Sequence, residues 1–392
     1  MKKLLSGLMS CAMALTMVAC GGGSSSSSES ATTFKIGGSG PLTGDYAIYG
    51  KAVENGAKIA VDEINAEGKI QIEFKMEDDQ GDPEQSPICY ANLQDWGMQI
   101  GLSTVTSGAG AAVSQKYKDD QTFAITPSAS NTSVVFSNDD CTESYGYVFQ
   151  MCFTDPNQGI ASADYLKDHE DIGTKVAVLY QSDENYSTSI YQKFKGEAEK
   201  VGLEVVYEDS FTKDSKDFTG QLKKAKESGA DVVYLPMYYT TAALILNQSN
   251  AMGYAPSFVG VDGMDGILTL EGFDTKLAEG VFLLVPFSAD SDNETTKNFV
   301  AKYEEQFGQT PNQFAADAYD CIYAIAQAIE AGQITPDMAN SEIAEKLIAQ
   351  FTSMTFNGST GTNVTWAKTG EVSKTPLAVV IKDGVYVGYE GE

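Results

Sequence analysis

The stretch KVAVLYQSDENYSTSIYQKFKGEAEKVGLEVVY, residues 175–207, decides the fold class of this chain. Its first six residues are mostly apolar and predict a strand, residues 188–201 predict a helix, and residues 203–207 predict a second strand. A strand, a helix and a strand in this order are typical of a β-α-β unit, in which the two strands run parallel.

The same alternation continues on both sides of this unit. Strands are predicted at 34–36, 71–76, 98–102, 123–126, 231–235, 257–260 and 281–285, and helices at 49–65, from 82, and at 107–118, 218–228 and 241–252. Further helices are predicted at 295–307, 311–331 and 341–349, and final strands at 364–366, 377–382 and 385–389, with a hairpin turn at Asp383-Gly384. Two blocks of β-α units predict an α/β fold with two doubly wound, mostly parallel sheets.

Length and charge restrict the partners that we expect. The chain has 392 residues, which is more than one hydrophobic core usually holds, so two lobes are expected. The net charge of −28 argues against nucleic acid and anionic lipid surfaces as partners. All 26 basic residues are lysines, so an anionic ligand group would be held by hydroxyls, backbone N–H groups, helix ends or lysine rather than by an arginine fork.

The amino terminus predicts export and a lipid anchor. Lys2 and Lys3 precede an apolar run at 4–18, which is too short for a membrane span and predicts a signal peptide over 1–19. The segment 17–20, MVAC, resembles a bacterial lipobox, which implies acylation of Cys20 followed by a flexible Gly/Ser tether over 20–33. We therefore expect an extracytoplasmic protein that is lipid-anchored to the outer face of the bacterial cell membrane. The alternative is an ordinary cleaved signal.

No motif in the sequence predicts catalysis. The single histidine, His169, lies in a charged stretch that predicts a solvated loop. The glycine-rich loop 37–44 is not a dinucleotide fingerprint, because Thr43 replaces the third glycine, and it is neither a P-loop nor a nucleophile elbow. We expect no enzyme activity, no cofactor and no metal site.

Four cysteines remain after the signal and the acylated residue: Cys89, Cys141, Cys152 and Cys321. No CxxC pair occurs among them, which disfavours a zinc or redox motif. Cys141 and Cys152 flank a short polar loop and could form a disulfide in an exported protein. The alternative is that all four thiols are free.

Polar loops follow neighbouring strands where ligands bind in open α/β sheets. Residues 103–110 and 126–131 place small hydroxyl side chains and free N–H groups at the same rim, which suits a carboxylate. Helix capping alone is the alternative. In the second block, Tyr186 and Tyr238 can wall an apolar group, and Asp262 can hold an ammonium.

These segments, in this order, resemble the leucine/isoleucine/valine-binding family of solute receptors for ABC importers. The similarity is carried by residues 39–41, 49–50, 62–65, 107–108, 126–130, 155–159, 216–218 and 319–320. The resemblance implies a type I periplasmic binding protein fold, in which two lobes close like a Venus flytrap around three crossings. It places lobe 1 at 34–154 plus 287–350 and lobe 2 at 155–286 plus 351–392.

The resemblance also implies roles for single residues. It assigns the ligand carboxylate to the hydroxyl and N–H groups of Ser107 and Ser130, with Ala129 in the same loop, and the ligand ammonium to the carbonyl of Ser128. Asp262 falls where branched-chain receptors carry glutamate at the ammonium. Aromatic walls are implied at the remaining positions, Tyr49, Tyr186, Tyr238 and Phe314.

The function that we expect is capture of a neutral amino acid, branched-chain or otherwise apolar, between two lobes. Hinge closure would then present the closed shape to ABC permease subunits in the membrane. We expect a monomer. The alternatives are a receptor for an amide, urea or aromatic acid, and a ligand-sensing partner of a signalling protein.

Overall fold

The computed structural model describes residues 32–389 and contains two β-sheets. The first sheet has five parallel strands in the order β2-β1-β3-β4-β5. These strands are β1 (Phe34–Gly40), β2 (Ile72–Asp78), β3 (Ile100–Leu102), β4 (Phe123–Thr126) and β5 (Val148–Gln150). This sheet forms the centre of lobe 1.

The second sheet has seven strands in the order β12-β11-β10-β9-β8-β6-β7, of which β11 runs antiparallel to both neighbours. They are β6 (Lys175–Gln181), β7 (Glu204–Phe211), β8 (Val232–Leu235), β9 (Ser257–Val261), β10 (Phe282–Val285), β11 (Leu377–Lys382) and β12 (Val385–Gly388). Two mostly parallel, doubly wound sheets in two lobes confirm the predicted fold class.

Ten α-helices are found between residues 32 and 389. They are α1 (Ala47–Glu67), α2 (Ser86–Trp96), α3 (Ser107–Asp119), α4 (Asp155–Asp168), α5 (Asn185–Val201), α6 (Thr219–Glu227), α7 (Tyr239–Ala251), α8 (Glu294–Phe307), α9 (Gln313–Gly332) and α10 (Asn340–Phe351). Most of the predicted elements are confirmed to within a few residues. Glycine in the left-handed conformation ends α1, α5 and α8, because it carries no Cβ to clash there.

Several details of the sequence interpretation are wrong. The helix predicted from residue 82 begins at Ser86, because Asp82 caps a preceding turn by accepting a hydrogen bond from the N–H of Glu84 (2.8 Å). Residues 364–366 form isolated bridges rather than a strand. The short strand β5 was not predicted. The hairpin turn at 383–384 is confirmed, with positive φ at both residues.

All four cysteines within the described residues are free, so the disulfide considered for Cys141 and Cys152 is not formed. Cys152 is buried, whereas Cys141 is partly exposed. The predicted signal peptide, Cys20 and nearly all of the tether lie outside the described residues.

The chain passes between the sheets at 151–154, 286–293 and 352–376. The third segment packs on lobe 1 before it enters the second sheet at β11: the indole Nε1 of Trp366 donates to the carbonyl of Gln150 (2.8 Å). Asp320 of α9 accepts hydrogen bonds from the N–H groups of Ser359 and Thr360, each at 2.8 Å. The lobe boundaries derived from the resemblance stay a prediction.

A buried ion pair anchors this third segment. The Nζ of Lys374 lies 2.6 Å from Oδ1 of Asp317 on α9, and both side chains are almost completely buried. Burial raises the pKa of Asp317 to about 6, and the charge of Lys374 opposes that shift. Removing only one partner of such a pair leaves an uncompensated polar group in the interior.

We predict that Lys374→Met lowers the free energy of unfolding by about 3–5 kcal/mol, because Asp317 would then be buried without its partner. Chemical denaturation measures this loss. The control is Lys195→Met, which breaks an exposed pair with Glu208 (2.6 Å) and should change stability little. An equal loss in the two variants would contradict the role given to the buried pair.

Candidate functional site

The carboxyl ends of β3 and β4 hold the two serine-rich loops against each other. The Oγ1 of Thr126 donates to the carbonyl of Thr104, and the Oγ of Ser128 donates to the carbonyl of Val105, both at 2.7 Å. These bonds tie the loop after β4 to the loop after β3. The predicted rim of hydroxyl groups therefore exists as one rigid unit.

The serines of this rim differ in the hydrogen bonds that they can still form with a further group. The Oγ of Ser130 is buried and makes no close hydrogen bond within the described residues, although the carboxyl of Asp155 is near enough to accept from it. Ser107 accepts a hydrogen bond from the N–H of Asn131 (3.2 Å), which leaves its own proton to donate. The hydroxyl of Ser128 is used within the loop, and the N–H of Ala129 donates to Thr126 (2.9 Å). Ser107 and Ser130 are thus the side chains suited to an anionic group.

The second lobe contributes Asp262, which directly follows β9. The hydroxyl of Tyr186 donates to Oδ1 of Asp262 and accepts from the N–H of Gly263 (2.9 Å). Tyr238 stacks on Tyr186, with ring centroids 4.8 Å apart. Burial raises the pKa of Asp262 to about 7, and the hydrogen bond from Tyr186 opposes that shift. A carboxylate in this position gains from a cationic partner.

Asp155 and Gln158 belong to the same site, although the sequence interpretation gave them no role. Oδ2 of Asp155 accepts from Nδ2 of Asn131 (2.7 Å). Oδ1 of Asp155 and Nε2 of Gln158 are buried and make no close hydrogen bond within the described residues, although Ser130 lies near Asp155 and Gln158 lies near Asp262. Burial raises the pKa of Asp155 well above its usual range. An acidic residue followed by proline is typical of an ordinary helix start, so the local sequence at the start of α4 did not indicate a role for Asp155 in the site. Only the family resemblance carried by the segment 155–159 indicated such a role.

Direct contacts join the two lobes around these groups. The hydroxyl of Tyr49 in lobe 1 donates to the carbonyl of Gly263 in lobe 2. Tyr239 donates to the carbonyl of Asp45 (2.7 Å), and Asn131 donates to the carbonyl of Asn185 (3.2 Å). The lobes are therefore closed on each other at this site.

Aromatic rings from both lobes cluster at the same place. The ring of Tyr49 lies 4.3 Å from that of Phe314, 4.9 Å from that of Tyr239 and 5.7 Å from that of Tyr238, measured between centroids. The structure thus brings Tyr49, Tyr238 and Phe314 together.

A separate cavity of about 390 Å³ lies beside Phe287 and Tyr386, and none of the predicted site residues line it.

The described residues contain no cluster of acidic, histidine or cysteine side chains placed to hold a metal ion. None of the helices between residues 32 and 389 is long and apolar enough to cross a bilayer. The site instead combines hydroxyl donors with buried carboxylates. This arrangement between two α/β lobes defines a two-lobed receptor for a small solute.

Comparison with known proteins agrees with this class. Residues 33–384 match the model of the periplasmic binding protein family, so the chain belongs to that family. The "Leucine-, isoleucine-, valine-, threonine-, and alanine-binding protein" of Pseudomonas aeruginosa is 28% identical over 339 residues, which cover 85% of each chain. "Leu/Ile/Val-binding protein homolog 3" of Brucella melitensis is 29% identical over 365 residues, covering 91% of this chain and 93% of that protein. The resemblance to the leucine/isoleucine/valine-binding family is confirmed.

Solved structures show the same fold. The branched-chain amino acid transporter substrate-binding protein LivJ of Streptococcus pneumoniae, in complex with isoleucine, superposes with a TM-score of 0.80 at 27% identity. The match covers 90% of this chain and 97% of that one. A solute-binding protein of an ABC transporter from R. palustris, in complex with benzoate, has a TM-score of 0.78 at 19% identity over 91% and 95% of the two chains. At that identity the likeness concerns the fold alone.

We predict that Asp262→Asn stabilises the ligand-free protein at pH 8 and not at pH 4. Folding raises the pKa of Asp262 from 3.8 to about 7, so the folded protein holds this proton more tightly than the unfolded chain. Asp262 therefore costs stability progressively as the pH rises from about 4 to about 7. Asparagine removes this cost, which is on the order of 2–4 kcal/mol at pH 8.

Chemical denaturation of the ligand-free protein at both pH values measures the difference. The control is Asp217→Asn, because the pKa of this exposed carboxyl is lowered by its hydrogen bond with Thr219 and its loss should give no stabilisation. The account of Asp262 fails if the Asn variant is no more stable than the wild type at pH 8.

Proposed function

We propose that this protein is the extracytoplasmic solute-binding lipoprotein of an ABC importer and binds a neutral amino acid, branched-chain or otherwise apolar, between its lobes. The observation that carries the proposal is a group of buried polar atoms that make no close hydrogen bond within the described residues: Oγ of Ser130, Oδ1 of Asp155 and Nε2 of Gln158. Buried polar atoms are nearly always well paired, so donors and acceptors at a lobe junction that meet one another only loosely point to a ligand. An α-amino acid offers both partners, because one carbon carries its ammonium and its carboxylate.

The carboxylate end of the ligand is assigned to the serine loops. Ser107 is the first residue of α3, a helix of 13 residues, whose first N–H groups have no partner within the helix. A helix amino terminus favours an anion through these N–H groups and the helix dipole. The hydroxyl of Ser130 adds a buried donor. Arginine is not needed for this recognition.

The ammonium end is assigned to Asp155 and Asp262. Both carboxylates are buried, and burial raises the pKa of each. An ammonium placed beside the two carboxylates would offset the free-energy cost of burying the negative charges and the cost of burying the positive charge. The carbonyl of Ser128 would supply a further acceptor, as the resemblance implies.

The side chain of the ligand is assigned to the aromatic cluster of Tyr49, Tyr186, Tyr238 and Phe314. Burying a leucine-sized side chain there would contribute roughly 1.5–3 kcal/mol. Two of these rings belong to lobe 1 and two to lobe 2, so burial of the side chain favours the closed arrangement. The closed shape would then be recognised by the permease subunits, and the protein itself would act as a monomer without enzyme activity.

We predict that Ser107→Ala and Ser130→Ala each weaken amino-acid binding about tenfold or more, because each variant removes a hydrogen bond to a charged group. Calorimetric titration of ligand-stripped protein with the twenty amino acids, and with benzoate and urea, measures the affinities. The control is Ser353→Ala, which removes an exposed hydroxyl at the end of α10.

Two results of this titration would contradict the proposal. One is no amino acid binding tighter than about 1 mM. The other is a ligand without an ammonium, such as benzoate, that binds better than every amino acid, because such a ligand leaves Asp155 and Asp262 without the cation assigned to them.

We predict that Cys20→Ser releases the protein from the membrane, because the acylated residue is the proposed anchor. Fractionation of cells that express the full chain, followed by immunoblotting of membrane and soluble fractions, measures the distribution. The control is Cys11→Ser, a substitution within the predicted signal peptide that leaves Cys20 in place. Membrane retention of the Cys20 variant would remove the lipid anchor from the proposal.

A further inference from the structure

Asn131 lies between the two ends of the site, and the binding scheme above gives it no role. It belongs to the loop after β4 and is buried. Its N–H donates to the Oγ of Ser107 (3.2 Å), a hydroxyl assigned to the ligand carboxylate. Its Nδ2 donates to Oδ2 of Asp155 (2.7 Å), a carboxylate assigned to the ligand ammonium. One residue therefore contacts groups that serve both ends of the ligand.

The side-chain amide of Asn131 is held in one orientation. Its Oδ1 accepts from the N–H (3.0 Å) and from the hydroxyl (2.6 Å) of Ser133. Because a backbone N–H faces Oδ1, the amide nitrogen must face the other way, towards the carboxylate of Asp155. A primary amide has two N–H groups, and here one donates to Asp155 and the other to the carbonyl of Asn185 (3.2 Å). Both ends of the amide are thus engaged.

The bond from Asn131 to Asn185 crosses between the lobes. Asn131 follows β4 of the first sheet, whereas Asn185 is the first residue of α5 and follows β6 of the second sheet. The next residue, Tyr186, donates its hydroxyl to Asp262. The bond therefore fixes against lobe 1 the part of lobe 2 that carries Tyr186. Opening of the lobes would break this bond.

Asp155 connects the interlobe bond to the ligand. Its N–H donates to the carbonyl of Ser130 (3.0 Å), which holds the residue beside the serine loop. Its Oδ2 accepts from Asn131, and its Oδ1 is the oxygen that the scheme above offers to the ammonium. Burial raises the pKa of Asp155 well above its usual range, so a cation beside it favours the charged form. A charged acceptor forms the stronger hydrogen bond, so an ammonium at one oxygen strengthens the bond at the other.

We propose that Asn131 is a positioning residue that couples ligand binding to closure of the lobes. The ammonium contacts Oδ1 of Asp155, Oδ2 of Asp155 orients the amide of Asn131, and this amide holds Asn185 of the other lobe. Asn131 itself makes no contact with the ligand. This inference rests on the proposed function and adds to it the contacts through which an occupied site favours the closed shape.

Asn131→Ser tests the inference, because serine keeps an oxygen for the N–H of Ser133 and removes the nitrogen that bonds Asp155 and Asn185. The probe is L-leucine, or the amino acid that binds tightest in the titration above if leucine does not bind. Small-angle X-ray scattering measures the radius of gyration of ligand-free and ligand-saturated protein. Stopped-flow fluorescence measures the association and dissociation rate constants.

In the wild type, saturation with the amino acid should lower the radius of gyration. In Asn131→Ser at least half of this decrease should be lost, because the interlobe bond is absent. The dissociation rate constant should rise about tenfold, whereas the association rate constant should stay within about threefold, because the open site keeps its own contacts with the ligand.

Two control variants separate coupling from other effects. Ser130→Ala removes a direct donor to the ligand and weakens binding, but at saturation it should show the full wild-type decrease in the radius of gyration. Asn247→Ser makes the same substitution on α7, where Nδ2 of Asn247 donates to the carbonyl of Ala243 (2.9 Å). It should change neither the scattering nor the rate constants.

A full decrease in the radius of gyration of saturated Asn131→Ser, or a wild-type dissociation rate constant, overturns the role of Asn131 and leaves the proposed function intact. A wild type whose radius of gyration does not change on binding also overturns it. If Asn131→Ser does not fold, Asn131→Asp decides. Aspartate keeps the size of the side chain and the oxygen that faces Ser133, and it places an acceptor against Asp155, so the same loss is expected. If no amino acid binds, the proposed function itself fails.

Discussion

The structure depends on one constraint, which is that polar groups buried where two lobes meet must find partners. Asp155 stands at the start of α4, where the chain first leaves lobe 1, and Asp262 follows β9 in lobe 2. Both are buried without a cation, while hydroxyl donors lie on the adjoining serine loops. Such an arrangement costs free energy as long as it is unfilled, and a dipolar ligand that pairs with the groups removes that cost. In the function proposed above, ligand binding and closure of the lobes are the same event.

The rest of the fold holds these carboxylates and hydroxyl groups in fixed positions relative to one another. Parallel strands bring their carboxyl ends to one edge of each sheet, so the loops after β3, β4 and β9 all face the other lobe. The third crossing is fixed to α9 by Lys374 and Asp317, and the ring of Tyr49 contacts those of Tyr238 and Tyr239 across the lobes. The function proposed above requires the two lobes to open and close around the ligand.

Periodicity in the sequence predicted most of the fold, because buried strands and amphipathic helices leave patterns of fixed period. It missed β5, whose three residues are too few for a pattern, and it misplaced the start of α2, because Asp82-Pro83 is equally compatible with a turn. Within the site, the serine loops were recognisable as hydroxyl-rich strand ends. The burial of Asp155 and Gln158 without close hydrogen bonds at Oδ1 and Nε2 arises from packing between distant segments, which no local pattern encodes.

The central claim is that a dipolar solute pairs with the serine loops at one end and with the buried carboxylates at the other. A crystal structure of the protein with the amino acid that it binds most tightly tests this most directly. The account predicts the ligand ammonium within about 3.2 Å of Asp155 or Asp262, and its carboxylate at the hydroxyls of Ser107 and Ser130. A ligand bound elsewhere, or with these two ends reversed, would contradict it.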